Sequence, residues 1–201
     1  MHNEKSNFGD NCQAALIKTA DFAETVGVEG KYVAKCYDKD GNLKWEDTIE
    51  NLVVAVGKQL MLDTLLSGSS YSATVRMGLV SGASAPTYAA ADTQASHAGW
   101  LESGLANAPT YSGNRPTVTF GSATSSGLTP SNVTTKSTSG AASFTFTGSG
   151  TVAGCFININ GSATIDNTTG TLYSAGSFTG GNKTVAATDV LNVTYSTTAT
   201  S

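Results

Sequence analysis

Residues 151–159 read TVAGCFINI, and this run is apolar on both faces of an extended chain. Successive side chains of a strand point to opposite faces. Ala153, Cys155 and Ile157 would then lie opposite Val152 and Phe156. A strand that is apolar on both sides is typical of the middle of a sheet. We therefore predict that this run is a central strand.

Further short runs of β-branched and aromatic residues, parted by Gly, Pro and Asn, surround this strand in the sequence. They occupy residues 117–120, 131–137, 142–147, 171–178 and 189–197. This spacing is typical of an antiparallel β-sandwich. Farther upstream, residues 71–79 alternate apolar with polar side chains, which predicts a half-buried strand. The fold class that we predict is mainly β, an antiparallel β-sandwich with one short helix.

The first third of the chain predicts a hairpin and that helix. Residues 31–50 contain two strand-like runs on either side of the turn 38–42. Between about 53 and 66, apolar residues recur at 53, 56, 60, 61 and 65, a spacing that places them on one helical face.

The domain organisation that we predict is an N-terminal arm, residues 1–27, followed by one β-sandwich body, residues 28–201, which includes the hairpin and the helix. The arm mixes charged residues with short apolar runs. Leu16, Ile17 and Phe22 are its candidate apolar anchors for contact with another surface.

Three motifs suggest chemistry, and the residues around each argue against it. Asp38 and Asp40 resemble the start of a calcium loop, but Leu43 and Ile49 occupy the places of its glycine and its bidentate glutamate. Residues 148–153 match a dinucleotide fingerprint, yet a strand follows where phosphate binding needs a helix, so a hairpin turn is the better interpretation. The three cysteines lack paired spacing and fit buried free thiols. We predict no metal and no cofactor.

The long segment 81–116 reads as loop, with a helical turn between Asp92 and Trp100. Asp92, Ser96 and His97 are the residue types of a hydrolytic triad, but adjacent Ser and His side chains tend to point apart. The alternative interpretation is that these groups satisfy loop backbone while Trp100 fills the core. We predict that the protein is not an enzyme.

Charge is distributed very unevenly. Of the 26 charged residues, 18 lie in the first 66 positions, and the formal net charge is -4. Nucleic-acid binding needs clustered Lys and Arg, so direct contact with nucleic acid is not expected. No stretch is long and apolar enough for a membrane span or a secretory signal. Because soluble domains usually carry about 25% charged residues, we expect much of the uncharged surface to be covered in an assembly.

Several stretches also carry a resemblance to a known family. They are residues 50–54 with the helix behind them, the strand 74–80, the stretch 88–102, and the ending from 170–178 through 193–195. Together they resemble the capsid cement or decoration proteins of tailed bacteriophages. The resemblance covers about residues 31–198, so the first 30 residues lie outside it.

The resemblance implies a β-sandwich or jelly-roll body that oligomerises, as a homodimer or homotrimer, and clamps neighbouring major capsid subunits on the outside of the shell. The protein would be made in the host cytoplasm and end on the virion surface, and Leu16, Ile17 and Phe22 would be candidates for capsid contact. The alternative is a tail or head fibre module that binds host glycans through aromatic residues such as Tyr88, Tyr111 and Tyr173. The sequence shows no fixed-period repeat of the kind that fibre shafts use.

Overall fold

Two long antiparallel strands open the part of the chain that the computed structural model describes, which is residues 27–66, 72–126 and 133–200. β1 (Gly27–Tyr37) pairs with β2 (Leu43–Val53). In the turn between them, the Asp38 carboxylate accepts hydrogen bonds from the backbone N–H groups of Asp40 and Asn42, at 2.9 and 2.8 Å. The predicted hairpin is confirmed, and the carboxylate that suggested a calcium loop closes the turn.

One helix and ten further strands complete the described residues. In chain order they are α1 (Ala55–Leu66), β3 (Val75–Ser81), β4 (Glu102–Ser103), β5 (Thr117–Val118), β6 (Thr124–Ser126), β7 (Val133–Ser137), β8 (Ala142–Thr145), β9 (Gly150–Ile159), β10 (Thr171–Ser177), β11 (Lys183–Val185) and β12 (Val190–Thr200). All the strand pairs are antiparallel. The prediction of a mainly β fold with one short helix is confirmed.

The strands form two layers that share β2. The front sheet contains β2, β1 and β12, with β7, β6 and β8 on the far side of β12, and the back sheet is built on β3, β9 and β10. Most of β2 pairs with β1, whereas Leu52 and Val53 at its end pair with β10, so this strand passes from one sheet to the other. The core between the sheets takes Tyr32 and Cys36 from the front and Leu79 from the back.

A long loop covers the second face of the back sheet. Trp100, near the end of residues 82–101, packs in a second apolar cluster with Phe156 and Leu172. As a result every residue from Met77 to Ser81 is buried, and the prediction that this strand is half-buried is wrong. The prediction of a central strand at 151–159 is confirmed, because β9 pairs with β3 on one side and β10 on the other.

Two local structures differ from their prediction. The segment before β9 is not a hairpin turn, because β8 pairs with β12 in the front sheet while β9 belongs to the back sheet. The chain therefore crosses between layers there. Between Asp92 and Trp100 no helical turn forms; instead Thr93 and Ser96 exchange backbone hydrogen bonds of 2.9 and 3.2 Å across a tight turn.

Helix α1 lies against β10 through a glycine. Gly57 is its one buried residue, and a Cβ added there would come within 2.4 Å of the Tyr173 carbonyl oxygen. The backbone N–H of Val54, just before the helix, donates to the same carbonyl at 3.2 Å. In the described part of the chain, no helix is long and apolar enough to cross a membrane.

Replacement of Gly57 by alanine is expected to destabilise the protein by about 1–3 kcal/mol, because the new methyl group meets backbone that cannot rotate away. In an ordinary helix interior the same change stabilises by up to about 1 kcal/mol, so the sign of the effect is the test. Urea denaturation would measure it. Gln59→Ala, at an exposed position of the same helix, is the control and should leave stability nearly unchanged. A more stable Gly57→Ala variant would contradict the close approach of α1 to β10.

Candidate functional site

The apolar anchors named from the sequence, Leu16, Ile17 and Phe22, lie outside the described residues, as does the predicted arm apart from Gly27. Within the described residues, the two most exposed large apolar side chains, Leu65 and Leu66, lie on α1; Leu105 follows at 63%, and Leu62 of α1 is close to it. Leu62, Leu65 and Leu66 are 60%, 77% and 78% exposed. We call these three side chains the outer leucines.

At 3.6 residues per turn, Leu62 and Leu66 lie about 140° and 180° around the helix from Gly57, on the side that faces away from the sheet. Leu65 lies between that side and the sheet, at the edge of a groove. The sequence places Leu60, Met61 and Leu65 on one helical face, and all three line one groove beside the sheet, although Leu65 is 77% exposed there. The sequence signal for the outward side is the pair Leu62 and Leu66, four positions apart.

A shallow groove of about 390 Å³ runs between α1 and the end of the back sheet. It is lined by Leu60, Met61, Thr64, Leu65, Ile159 and Tyr173. The Tyr173 hydroxyl donates to Met61 Sδ at 3.4 Å and lies 3.3 Å from the Thr197 hydroxyl oxygen of β12. Leu65 lines the groove, so the groove and the outer leucines adjoin.

Four of the eight charged residues in the segments 72–126 and 133–200 form ion pairs with an opposite charge. The deepest pair is Arg115 with Glu102, both almost fully buried, in which two guanidinium nitrogens bind the two carboxylate oxygens. Burial raises the pKa of Glu102, and the Arg115 guanidinium offsets only part of that rise. No sequence signal points to this pair, because it joins residues 13 positions apart within an irregular segment.

Two further pairs tie charges of residues 183–189 to the hairpin. Lys44 binds the buried carboxylate of Asp189 at 2.5 Å, and Lys183 binds Asp47 at 2.6 Å. The hydrogen bond to Asp189 raises the pKa of Lys44. Among residues 72–126 and 133–200, Lys136 and Asp166 are the only exposed charged residues. The surface of these two segments therefore carries few charges, and many of its exposed residues are Ser and Thr.

The three residues that suggested a hydrolytic triad surround Trp100 instead. Asp92 Oδ2 accepts hydrogen bonds from Trp100 Nε1 and from the Ala89 backbone N–H, both at 3.1 Å. The His97 ring stacks on the indole at 3.8 Å, and its Nδ1 lies 3.1 Å from the Trp100 carbonyl oxygen. Ser96 contributes its backbone to the turn with Thr93. The interpretation is confirmed for Asp92, His97 and Trp100, whereas Ser96, which it also named, takes part through its backbone.

A polar cleft of about 420 Å³ lies beside this loop. Gln94, which is 2% exposed, lines it; its Nε2 donates to the Asn167 carbonyl at 3.4 Å, and its Oε1 has no hydrogen-bond partner. His97, Asn107 and Asp166 line the same cleft. Within residues 27–66, 72–126 and 133–200, no group of three or more His, Cys, Asp or Glu could hold a metal ion.

The aromatic residues proposed for glycan contact do not form a binding face. Tyr111 and Tyr173 are buried in the core between the sheets, and Tyr173 belongs to a strand. Tyr88 is half-buried, its hydroxyl lies 3.0 Å from the Ser177 hydroxyl, and burial raises its pKa to about 12. Stacking on a sugar requires an exposed ring face, which Tyr111 and Tyr173 lack.

Comparison of the chain with protein-family models, with curated proteins and with solved structures finds no match.

Proposed function

We propose that this protein is a structural component of a tailed-bacteriophage virion, which binds the outer surface of the capsid and cements neighbouring major capsid subunits. The observation that carries the proposal is the low charge of residues 72–126 and 133–200, where Lys136 and Asp166 are the only exposed charged residues. An uncharged surface gives little repulsion between molecules, which suits a protein held in a fixed assembly better than one that diffuses freely. The proposed partners are the major capsid protein and further copies of this chain, as a homodimer or homotrimer.

The resemblance of residues 31–198 to capsid cement proteins supports the same function. A protein that binds only the assembled shell stabilises it by mass action at every site that it occupies. Small gains per site add up over a shell with many equivalent sites. No cofactor, membrane or nucleic acid takes part in this role, and Leu16, Ile17 and Phe22 are its candidate capsid contacts.

Purified protein mixed with undecorated, expanded phage heads is expected to bind them in a saturable, regularly spaced layer, visible by electron microscopy. Glutamate placed at single exposed hydroxyl positions, Ser125 on β6 and Thr184 on β11, should weaken binding about tenfold where the position faces the shell, because a buried unpaired carboxylate is costly. Alanine at the same two positions is the matched control and should bind normally. Heads that stay bare at saturating protein would contradict the proposal.

One observation favours a second candidate, a recognition module that binds host glycans. Gln94 lines the polar cleft, and its buried Oε1 has no hydrogen-bond partner, so this acceptor is available to a sugar hydroxyl that enters far enough to reach it. Copy number in purified virions separates the two functions. A cement protein should approach the abundance of the major capsid protein, whereas a fibre tip should be scarce.

A further inference from the structure

We propose that the polar cleft is a binding site for a lysine side chain of a partner protein, and that Gln94, His97 and Asp166 accept hydrogen bonds from its ammonium group. The proposal concerns the chemistry of the cleft, and it holds whether or not the partner is a capsid protein.

Two side chains that line the polar cleft carry hydrogen-bond acceptors. Gln94 is 2% exposed, and its buried Oε1 has no hydrogen-bond partner among the described residues. The His97 Nδ1 lies 3.1 Å from the Trp100 carbonyl oxygen. Because a carbonyl oxygen only accepts, Nδ1 carries the proton, so Nε2 of the neutral ring is an acceptor. A buried acceptor without a partner costs free energy, and a ligand that donates to Gln94 Oε1 removes that cost.

The lining of the polar cleft also carries an exposed negative charge. Asp166 is exposed, and its Oδ2 accepts a hydrogen bond from the Ala106 backbone N–H at 3.0 Å, which holds the carboxylate in place. The other carboxylate in the lining, Glu102, is neutralised by Arg115. An ammonium group matches such a site, because it is a cation with three N–H donors and no acceptor. A sugar hydroxyl is uncharged and adds acceptor lone pairs of its own.

Buried contacts fix these groups before a ligand arrives. The Asn167 carbonyl oxygen accepts from Arg115 at 2.8 Å and from Gln94 at 3.4 Å. Glu102 Oε2 accepts from the Asp166 backbone N–H at 2.8 Å. Since Gln94, Glu102 and Arg115 are each at most 4% exposed, little conformational entropy remains to be lost when a ligand binds.

The rest of the lining suits an alkyl stem. Ala95, Ala98 and Leu101 line the same cleft, and all three are exposed. Lysine packs its four methylene groups on apolar surface while its ammonium group reaches polar partners. The volume of about 420 Å³ is ample for one such side chain. An amino sugar carries the same ammonium group, but the hydroxyl groups of its ring would lie against these apolar side chains without hydrogen bonds.

Titration of the full-length protein with Nα-acetyl-lysine methylamide, followed by NMR, tests the proposal. We expect saturable binding with a dissociation constant in the millimolar range, since one side chain offers little contact area. The indole N–H signal of Trp100, which lines the cleft, should shift. That of Trp45, which donates to the Thr184 carbonyl oxygen elsewhere in the molecule, should stay in place and is the internal reference.

The variant Asp166→Asn is expected to weaken binding at least about tenfold, because it removes the charge of the strongest acceptor. Asp166 has a φ of 61°, which asparagine tolerates, and the new amide oxygen can still accept from the Ala106 N–H. The loop should therefore keep its structure. Asp40→Asn removes an exposed carboxylate from the turn of the hairpin; it is the matched control and should bind like the wild type.

Each of four results would overturn the proposal. They are the absence of any saturable shift up to tens of millimolar, equal binding by wild type and Asp166→Asn, equal binding of the Nε-acetylated analogue, which has lost its charge, and tighter binding of glucosamine than of the lysine analogue. The last result would assign the cleft to a glycan. Binding that requires both the ammonium group and the Asp166 carboxylate supports the proposal.

Discussion

Replacement of Arg115 by methionine is expected to lower the free energy of unfolding by about 3–5 kcal/mol at pH 7. Arg115 is 1% exposed, and its Nε and one terminal nitrogen bind the two oxygens of Glu102 at 2.7 and 2.5 Å. Methionine keeps much of the side-chain volume but leaves the Glu102 carboxylate buried without a counter-charge. Removing one partner of a buried ion pair costs far more than the pair contributes as a whole.

The same guanidinium also holds two loops together. It donates to the carbonyl oxygens of Ser162 and Asn167 at 3.2 and 2.8 Å, and Glu102 accepts from the Asp166 backbone N–H at 2.8 Å. Arg115 thus links β4 to the loop between β9 and β10, which lines the polar cleft. Its loss would disorder this end of the molecule as well as remove the charge pair.

The cost of Arg115→Met should depend on pH in a defined direction. Burial raises the pKa of Glu102 above its ordinary value of 4.5, so its contribution to stability is full below that value and declines as pH rises through the raised pKa. Without Arg115 the pKa rises further, so at neutral pH the variant must either bury the charge or bind a proton. The difference in the free energy of unfolding between wild type and Arg115→Met is therefore expected to shrink as the pH falls from 7 to 5.

Urea denaturation at pH 7 and pH 5 measures both effects. Arg76→Met is the matched control, because Arg76 is half-buried and hydrogen-bonds the Gly161 carbonyl and the Thr117 hydroxyl rather than a carboxylate; it should cost about 1 kcal/mol. The double variant Arg115→Met/Glu102→Leu should recover much of the loss. Equal costs for the two arginines, or a deficit that grows toward pH 5, would show that Glu102 is not a buried charge.

The elements that the sequence predicts well are those set by local signals. The hairpin follows from two β-branched runs around an Asp-rich turn, and Asp38 supplies the side-chain hydrogen bonds that such turns use. β9 follows from its unbroken apolar character, which holds whichever strands lie beside it. Period and turn chemistry are properties of a few consecutive residues, so one sequence is enough to see them.

The parts that the sequence misses depend on distant residues. β3 alternates in sequence, yet both of its faces are buried because a loop that starts after it folds back as a third layer. From the sequence, the large apolar side chains of α1 predict which face of the helix packs on the sheet. In the structure the face that contacts β10 is the one with Gly57, and a glycine has no side chain that such a pattern could include. Strands of two or three residues, such as β4 and β11, are too short to show any period. Contact candidates on residues 1–26 stay predictions.

Replacement of Trp100 by alanine is expected to lower the free energy of unfolding by about 3–5 kcal/mol, the range for truncating a large buried aromatic side chain. Trp100 is 1% exposed, and its ring lies 5.1 Å from that of Phe156 on β9 and 3.8 Å from that of His97. Alanine would open a cavity between the loop and the back sheet. It would also leave Asp92 Oδ2 with the Ala89 N–H as its one remaining hydrogen-bond donor.

Trp100→Phe separates packing from hydrogen bonding. It keeps an aromatic ring over Phe156 but removes the donor to Asp92, so we expect a smaller loss of about 1–3 kcal/mol. Hydrogen exchange locates the effect in the structure. In Trp100→Ala the amides of β3 and β9 in the back sheet should lose protection. The amides of β1 and β12 in the front sheet should keep theirs, because the core between the sheets is unchanged. A loss of unfolding free energy below about 1 kcal/mol for Trp100→Ala would mean that the loop lies on the back sheet without stabilising it. A loss of protection spread evenly over both sheets would mean that the loop and the back sheet do not unfold separately from the front sheet.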